Sequence, residues 1–376
     1  MILQKVNDIL IDSGGNKMYF YMPTKVYQEK DAVIGRADEW TCLGARALIV
    51  TGRSSARTNG SLGDVIEALT SHGKDYAIFD EIEENPSVET IMRARDMGLE
   101  EKVDFVIGIG GGSPLDSAKA IALMICQKDK DVDYLYTKGS DEALPVVAIP
   151  TTCGTGSEVT PYAILTRTKL LSKGSIPHKV FPRYALVDSK YLTYAPESVL
   201  HNTAIDALAH FYESYINTNA TDYSRMMVEK GLKVWARSKD VLSGKKKATA
   251  EDYDNMMLAS SMAGMAISMT GTSLPHGLSY PITCRKGMPH GMGVGYFQAG
   301  YLKEAVRRDR DKVLSMSGFS DVDELAEFYS SVCYSEKVDE DLLLICADEI
   351  LSNEAKLKNC PFDVDRATMF RIVGLM

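Results

Sequence analysis

Three of the six histidines in this chain share one stretch of sequence with an aspartate. Asp206 and His210 are four residues apart in the run AIDALAHFYESYI, which predicts a helix with both side chains on one face. His276 and His290 follow in later segments, each between a proline and a glycine. One carboxylate and three imidazoles suit Fe(II), Zn(II) or another first-row cation, and no thiolate is among them. The four residues therefore predict a divalent-metal site.

The same four residues also have a purely structural interpretation. Asp206 and His210 would form an exposed helical pair worth a few tenths of a kcal/mol, roughly. His276 and His290 would each be a hydrogen-bonded histidine of the core. The repeated Pro-His-Gly sequence favours the metal site, because proline and glycine keep the backbone tight and let another group approach closely.

Composition excludes several classes of function. The 376 residues are enough for two domains, and 45% hydrophobic with 25% charged residues is typical of a soluble globular protein. A net charge of −9 argues against nucleic-acid or anionic-membrane partners. We find no apolar run of the ~20 residues that a membrane span needs and no signal peptide at the N-terminus. The seven cysteines are scattered without a CxxC pair, which favours a reduced, cytoplasmic protein.

Strands and helices alternate through the first half of the chain. One or two short strands are predicted within residues 16–28, with Pro23 as a break. Further strands are predicted at 45–52, 74–80 and 103–112, and a fourth within 143–158, where a loop of small residues follows it. The strand signal disappears after the segment 183–198. Intervening helices are predicted at 60–72, 85–100 and 113–126. Continuously apolar strands in such an order indicate a parallel sheet covered on both faces, whose ligands bind beyond the carboxyl ends.

From residue 197 onward the pattern is helical almost throughout. The segment 254–269 carries a methionine stripe among alanine, glycine and serine, which indicates core packing with close neighbours on several sides. We therefore predict an α/β domain over residues 1–190 and an all-helical domain over residues 191–376.

The predicted strand 103–112 ends in a glycine cluster. Gly110, Gly111 and Gly112 let the backbone approach a pyrophosphate, and the following helix offers free N–H groups and a positive dipole end. The motif is not G-x-G-x-x-G, because Ser113 occupies the place of the third glycine. Ser113 as N-cap and Asp116 in a capping box would also suit a plain helix start. Three glycines exceed what a plain turn needs, so we predict a phosphate-bearing ligand.

A second loop of small residues, PTTCGTGSEVT, follows the next strand. Thr151, Thr152 and Thr155 place hydroxyls beside flexible backbone, where they would clasp the far end of the same ligand. Cys153 lies in this loop with no histidine near it in sequence, and we interpret it as a spectator and not a nucleophile.

Five segments together resemble the iron-containing (group III) alcohol dehydrogenases: GGGSPLDSAK, PTTCGTGSEVT, DALAHFYESYI, PHGLSYP and KGMPHGMGVGYF. The resemblance extends from Arg46 to His290, and the spacings agree. It implies a Rossmann-like dinucleotide-binding domain, an all-helical C-terminal domain and a catalytic metal between them, as in the dehydroquinate synthase-like fold. It also implies that the metal ligands are Asp206, His210, His276 and His290.

The resemblance assigns cofactor contacts as well. The loop from Gly110 to Ser113 would hold the pyrophosphate. Asp116, Thr151 and Thr152 would lie near the nicotinamide, and Lys173 near the adenosine ribose.

Two positions depart from the family pattern. Many members carry another histidine four residues after the third metal ligand, where this chain has Tyr280. Members that prefer NAD often have an aspartate at the end of the first strand of the dinucleotide-binding sheet, where this chain has Gly52 followed by Arg53 and Ser54. Gly52 removes a carboxylate that would repel a 2′-phosphate, and Arg53 with the serine would accept one, which favours NADP(H) over NAD(H). The alternative is a plain turn at Gly52 and a solvated charge at Arg53.

The function implied is metal-dependent oxidation of a small primary alcohol or diol, or reduction of an aldehyde, with Fe(II) or Zn(II) and a nicotinamide cofactor. A zinc-dependent glycerol or polyol dehydrogenase is the nearest alternative. A dehydroquinate synthase-type lyase would need several basic residues for substrate phosphate, and Arg285 with Lys286 is the one basic pair close to the ligand histidines in sequence. A non-catalytic nucleotide-binding or filament-forming module would not need four metal ligands. The resemblance also implies a homodimer or larger homo-oligomer.

Overall fold

The structure is a computed structural model that describes residues 18–170, 172–333 and 337–376. Its strands are β1 (Lys25–Gln28), β2 (Arg46–Thr51), β3 (Asp75–Phe79), β4 (Phe105–Gly110), β5 (Val146–Pro150), β6 (Ile164–Arg167), β7 (Ser172–Ser175) and β8 (Tyr184–Val187). Six of them form a parallel sheet in the order β1-β8-β5-β4-β2-β3. β6 and β7 form a separate antiparallel hairpin.

The sheet is covered on both faces, as its apolar strands predicted. Leu48 and Val50 of β2 belong to one apolar cluster, and the alternate residues Ala47 and Ile49 belong to another. Successive side chains of a strand point to opposite faces, so both faces are buried. The first cluster includes helices α5 (Val88–Glu100) and α6 (Gly112–Cys126), and the second includes α4 (Ser61–Ser71).

Shorter helices complete the first half: α1 (Ala32–Gly35), α2 (Ala37–Trp40) and α3 (Ser55–Thr58). The predicted helices at 60–72 and 85–100 are confirmed as α4 and α5, and Ser87 caps α5 by accepting a hydrogen bond from the backbone N–H of Thr90 at 3.2 Å. In the segment predicted to hold one or two strands, β1 is the strand among the described residues, and it begins after Pro23. Residues 16 and 17 of that segment lie outside the described residues.

After β8 the described chain is helical, as the sequence predicted. These helices are α7 (Glu197–Tyr215), α8 (Asp222–Trp235), α9 (Lys239–Leu242), α10 (Ala250–Thr270), α11 (Leu274–Lys286), α12 (His290–Glu304), α13 (Arg307–Ser317), α14 (Val322–Val332), α15 (Glu340–Leu351), α16 (Glu354–Asn359) and α17 (Arg366–Val373). The end of β8 and the start of α7 flank residue 190, and a domain boundary at that residue stays a prediction. Among the described residues, no helix combines the length and the apolar character that crossing a bilayer requires.

Two helices of this half determine the position of the candidate site. All residues of α7 from Ala204 to Tyr215 are buried, which places this helix at the centre of the helical half. α10 packs directly on the loop after β5. A Cβ added at Gly264 would lie 2.5 Å from the carbonyl oxygen of Gly156, so this close contact requires a glycine. The predicted close packing of this methionine-rich helix is confirmed, and Met256 and Met257 lie in the core.

The start of α6 differs from the prediction. Gly111 occupies the N-cap position and the helix begins at Gly112, so Ser113 is not the cap. Ser113 Oγ accepts a hydrogen bond from the backbone N–H of Asn85 at 3.2 Å. The cap signature was misleading because the glycines already make the turn and leave the serine free to bind a neighbouring loop.

Asp116 does not complete a capping box either. Its carboxylate accepts hydrogen bonds from Ser157 Oγ at 2.5 Å, from Lys119 Nζ at 3.3 Å and from the backbone N–H of Ile164 at 2.8 Å. Asp116 therefore joins α6 to the loop after β5 and to the β6–β7 hairpin. The hairpin itself was not predicted.

Candidate metal and cofactor site

Three imidazoles surround the carboxylate of Asp206. Asp206 Oδ1 lies 3.4 Å from His276 Nε2, 3.8 Å from His290 Nε2 and 3.8 Å from His210 Nε2. Asp206, His276 and His290 each offer one ligand atom, and these atoms lie within 4.8 Å of one another. His210 stands beside this trio, with its ring stacked on that of His276 at a centroid distance of 4.4 Å. The structure thus brings together all four predicted ligands.

Two of the converging atoms lack hydrogen-bond partners. Asp206 Oδ1 and His276 Nε2 are buried, and neither is hydrogen-bonded within the described part of the chain. A buried polar atom without a partner costs about 1–3 kcal/mol, and more when it is charged. A divalent cation between them would satisfy both atoms, and one oxygen with three nitrogens is a suitable ligand set. The residues therefore fit the predicted metal.

The elements position these side chains through close packing. Asp206 and His210 are one turn apart on α7, His276 lies in the first turn of α11, and His290 is the first residue of α12. A Cβ added at Gly291 would lie 1.8 Å from the carbonyl oxygen of Asn202 in α7. The Pro-His-Gly sequence therefore allows the start of α12 to lie directly on α7, as the small residues suggested.

Glu213 supports the site and was missed in the sequence. His276 Nδ1 donates a hydrogen bond to Glu213 Oε1 at 2.6 Å, Gln298 Nε2 donates to the same oxygen at 2.9 Å, and the backbone N–H of Ser273 donates to Oε2 at 2.7 Å. Because Nδ1 of His276 carries the proton, its Nε2 is left with a lone pair for a cation. The available signal was spacing, since Glu213 is seven residues after Asp206 on the same face of α7.

Electrostatics keep most of the donors in the form that binds a cation. Burial would raise the pKa of Asp206, but the neighbouring imidazoles, His210 foremost, hold that pKa well below its usual range. Burial lowers the pKa of His210 to about 4 and that of His290 well below its usual value. Burial would also lower the pKa of His276, but the Glu213 carboxylate raises it to about 9. A cation would therefore compete with a proton for Nε2 of His276.

Tyr280 lies beside the imidazoles. Its ring is stacked against that of His290 at a centroid distance of 6.1 Å. Burial raises the pKa of Tyr280 above its usual value, so the phenol keeps its proton at neutral pH. The position at which the family resemblance led us to expect a histidine thus places a neutral phenol against the ring of His290.

The two small-residue loops lie side by side at the carboxyl ends of β4 and β5. A Cβ added at Gly112 would lie 2.7 Å from Thr155 Cγ2, and one added at Gly111 would lie 3.0 Å from Thr152 Oγ1. The backbone N–H of Thr151 donates to the carbonyl oxygen of Gly110 at 2.9 Å. The glycines are thus needed for contact between the loops, and the partly exposed backbone at the start of α6 suits an anionic ligand.

Gly52, Arg53 and Ser54 follow β2, next to β4 in the sheet, where the strand order reverses. Such a reversal is the usual place for a dinucleotide. Arg53 and Ser54 are exposed, and a Cβ added at Gly52 would lie 3.3 Å from the carbonyl oxygen of Ile82.

Lys173 reaches the site from the hairpin that the sequence did not reveal. Its Nζ donates to Asn85 Oδ1 at 2.6 Å and lies 5.8 Å from the centroid of the Tyr280 ring. The structure thus places Lys173 near Tyr280, and its contact with the adenosine ribose stays a prediction.

Comparisons with known proteins agree with this geometry. The sequence model of the iron-containing alcohol dehydrogenases matches residues 23–189, and that of the C-terminal region of the Fe-containing alcohol dehydrogenase family matches residues 201–317. A long-chain primary alcohol dehydrogenase of Thermoanaerobacter ethanolicus is 32% identical over 66% of this chain and 63% of its own length. A sulfoacetaldehyde reductase of Bilophila wadsworthia is 30% identical over 75% of this chain and 74% of its own length.

Solved structures extend the likeness to nearly the whole chain. A crystal structure of an iron-containing alcohol dehydrogenase from Thermotoga maritima superimposes with a TM-score of 0.86 at 36% identity, covering 94% of this chain and 98% of that one. The matched segments include both small-residue loops, Asp206 and the three histidines that surround its carboxylate. On these grounds, this chain belongs to the iron-containing alcohol dehydrogenase family.

Proposed function

We propose that this protein is a metal-dependent NAD(P)(H) alcohol dehydrogenase or aldehyde reductase acting on a small primary alcohol, diol or aldehyde. The observation that carries the proposal is the convergence of three imidazole nitrogens on Asp206 Oδ1, which is buried without a hydrogen-bond partner in the described chain. The small-residue loops after β4 and β5 support it, because they suit a dinucleotide. The named activities of the relatives, alcohol oxidation and sulfoacetaldehyde reduction, lie in the same class.

The overall reaction converts an aldehyde, NAD(P)H and one proton into an alcohol and NAD(P)⁺. A bound divalent cation supplies Lewis acidity at the substrate oxygen, and the nicotinamide supplies the hydride. In our proposal Asp206, His210, His276 and His290 hold the cation, and Glu213 orients His276. Tyr280, or water acting through the ribose hydroxyls, delivers the proton to the substrate oxygen. The family model supports iron as the proposed cation, and the ligand set suits zinc as well.

We also propose that the enzyme prefers NADP(H). The end of β2 carries Gly52 without a carboxylate, and the exposed Arg53 and Ser54 are free to meet a 2′-phosphate. The measurement is kcat/KM with NADPH and with NADH at one aldehyde concentration series. We expect the NADPH value to be the larger, and Gly52→Asp to reverse the order. A strong preference of the unaltered enzyme for NADH would contradict this proposal.

The experiment on the main proposal compares His276→Ala with His72→Ala. We expect His276→Ala to lose both bound metal and aldehyde-dependent oxidation of the reduced nicotinamide, while circular dichroism shows a retained fold. His72 lies near the surface, where it contacts Asp38, and its replacement should change neither the bound metal nor the turnover. Normal turnover in His276→Ala would remove this residue from the site.

A zinc-dependent polyol dehydrogenase remains the second candidate, because the same ligands suit zinc. Metal analysis of anaerobically purified protein, combined with a panel of aldehydes and diols, distinguishes the two.

The lyase alternative would use Arg285 and Lys286 to hold a substrate phosphate, but both residues form ion pairs with other side chains. Arg285 pairs with Glu349 and Lys286 with Asp339, both of which are exposed. The cations beside the site are Lys173 and Lys356 instead.

A homodimer or larger assembly and a cytoplasmic location also stay part of the proposal. Sedimentation velocity of the metal-loaded protein measures the first, and fractionation of the source cells measures the second.

A further inference from the structure

Two lysines from distant segments approach the same ring. Lys173 Nζ lies 5.8 Å and Lys356 Nζ lies 5.9 Å from the centroid of Tyr280. Each ammonium donates one hydrogen bond to a neutral acceptor, Lys173 to Asn85 Oδ1 and Lys356 to Thr272 Oγ1, both at 2.6 Å. Within the described ranges, neither lysine forms an ion pair with a carboxylate. Neither ammonium thus has a charged partner to offset the desolvation that its partial burial imposes.

Lys356 packs against α11, the helix that carries His276. A Cβ added at Gly277, the residue after His276, would lie 3.4 Å from Lys356 Cγ. Glu213 attracts the Lys356 ammonium electrostatically, but its two oxygens already accept hydrogen bonds from three other donors. Burial lowers the pKa of Lys356 to about 8, and the attraction of Glu213 does not offset this effect.

Both the candidate metal site and the lysines are partly accessible. The side chains of Asp206 and His276 are 4% and 3% exposed, whereas that of His290 is 26% exposed. Tyr280, Thr272 and both lysines are also partly exposed. Both lysines thus approach a ring that itself lies against His290.

The carboxylates that attract the two ammonium groups, Glu213 for Lys356 and Asp206, Asp116 and Glu84 for Lys173, all lie beyond ion-pair distance. A carboxylate brought by the substrate would supply the missing partner. We propose that Lys356 binds a carboxylate at the end of the substrate remote from the aldehyde, with Lys173 adding to the positive potential. This inference rests on the proposed function and narrows its substrate class to short aldehydes that carry a carboxylate, and to the corresponding hydroxy acids.

The competing interpretation is structural, since the bond from Lys356 to Thr272 also ties α16 to the segment before α11. Substrate pairs distinguish the two. Malonate and succinate semialdehyde are compared with the neutral ω-hydroxy aldehydes of equal length, in the unaltered enzyme, Lys356→Met, Lys356→Arg and Lys358→Met. Lys358 is an exposed lysine of the same helix that pairs with Glu354, which makes it a matched control.

We expect the unaltered enzyme to favour the carboxylates by ~10-fold or more in kcat/KM, the value of one charge-assisted hydrogen bond. Lys356→Met should abolish this preference for the carboxylates, Lys356→Arg should retain part of it, and Lys358→Met should leave it unchanged. A structural role predicts equal losses for both aldehyde classes. Equal kcat/KM values for the two classes in the unaltered enzyme, or an unchanged ratio in Lys356→Met, would overturn the inference.

A binding measurement separates this inference from the proposed function. Calorimetric titration of the metal-loaded protein with γ-hydroxybutyrate and with the neutral diol of equal length needs no turnover. Tighter binding of the hydroxy acid, lost in Lys356→Met, supports the anion site even if no aldehyde is reduced. Equal affinities contradict it, whereas turnover of neutral aldehydes alone leaves the proposed function intact and overturns the carboxylate assignment.

Discussion

Glu213 connects one candidate ligand to the surrounding structure. It accepts hydrogen bonds from His276 in α11, from the N-cap residue Ser273 of the same helix and from Gln298 in α12. A carboxylate behind a metal-binding imidazole fixes its tautomer and strengthens it as a ligand. The orientation of His276 therefore depends on a residue that itself contacts no metal.

We predict that Glu213→Gln weakens metal binding by about 10–100-fold, the usual effect of losing such a partner. The amide keeps the volume but presents an NH₂ group to one of the three donors. Competition with a chromogenic chelator measures the affinity. Glu229→Gln, at a surface carboxylate that pairs with Lys312, is the control and should not change it. Equal affinities in both variants would show that Glu213 does not position His276.

Cys153 illustrates how burial decides reactivity. Its thiol is buried beside Thr203, and burial raises the pKa of Cys153 to about 11. Because the pKa is raised, the reactive thiolate is scarce at every pH below about 11. We predict that iodoacetamide at neutral pH labels the exposed Cys42 but not Cys153, and that Cys153→Ser keeps activity. Mass spectrometry of the labelled protein measures this, and rapid labelling of Cys153 would count against a spectator role.

The four candidate ligands were predictable because residue type and spacing report directly on ligand chemistry. Glu213 and Lys356 were not identified, because their significance depends on contacts between distant segments. Ser113 and Asp116 fitted a capping signature in sequence, yet the fold uses both to bind other elements. Local signatures thus fail where a tertiary contact competes for the same side chain.

At the scale of elements, the contact between the two loops is the most sensitive feature of the predicted cofactor site. Glycines at the start of α6 allow the loop after β5 to touch them. The apolar strands β4 and β5, which precede these loops, were predictable because burial on both faces of a sheet requires a continuous hydrophobic run in the sequence. The β6–β7 hairpin was not predictable, because it is short, polar and only partly buried. Its sequence therefore shows neither the alternating nor the continuous apolar pattern of a strand.

Gly112→Ala tests this contact. The new Cβ would lie 2.7 Å from Thr155 Cγ2, so one of the two loops must move. We predict weaker NADPH binding by ~10-fold or more, since close backbone approach to the pyrophosphate is lost. Nucleotide fluorescence measures the Kd. Gly63→Ala is the control, because nothing lies within 4 Å of a Cβ there, and its Kd should stay unchanged. A normal Kd in Gly112→Ala would argue against this loop as the pyrophosphate site.

At the scale of the whole molecule, the candidate site joins the sheet half to the helical half. His210 Nδ1 donates to the carbonyl oxygen of Gly154 at 3.2 Å, and Ser261 Oγ donates to the buried Glu158 at 2.7 Å. Residues of both halves thus hold the ligands in place. The fold class followed from the order of strands and helices, but the contacts across the halves needed the structure.

Metal should therefore stabilise the whole fold. A cation that binds the folded state alone adds about 2.7 kcal/mol when present at 100 times its Kd. We predict that Fe(II) or Zn(II) raises the Tm of the chelator-treated protein, and that the rise is small in His276→Ala but normal in His72→Ala. Differential scanning calorimetry under anaerobic conditions measures it. Equal rises in all three proteins would locate the stabilising metal elsewhere.

The most direct measurement of the central claim is anomalous diffraction from crystals loaded with one metal, recorded on both sides of its absorption edge. We predict one strong peak per chain, at about 2.0–2.2 Å from the carboxylate oxygen of Asp206 and the Nε2 atoms of His210, His276 and His290. A peak bound by other residues, or none between these four side chains at saturating metal, would contradict it.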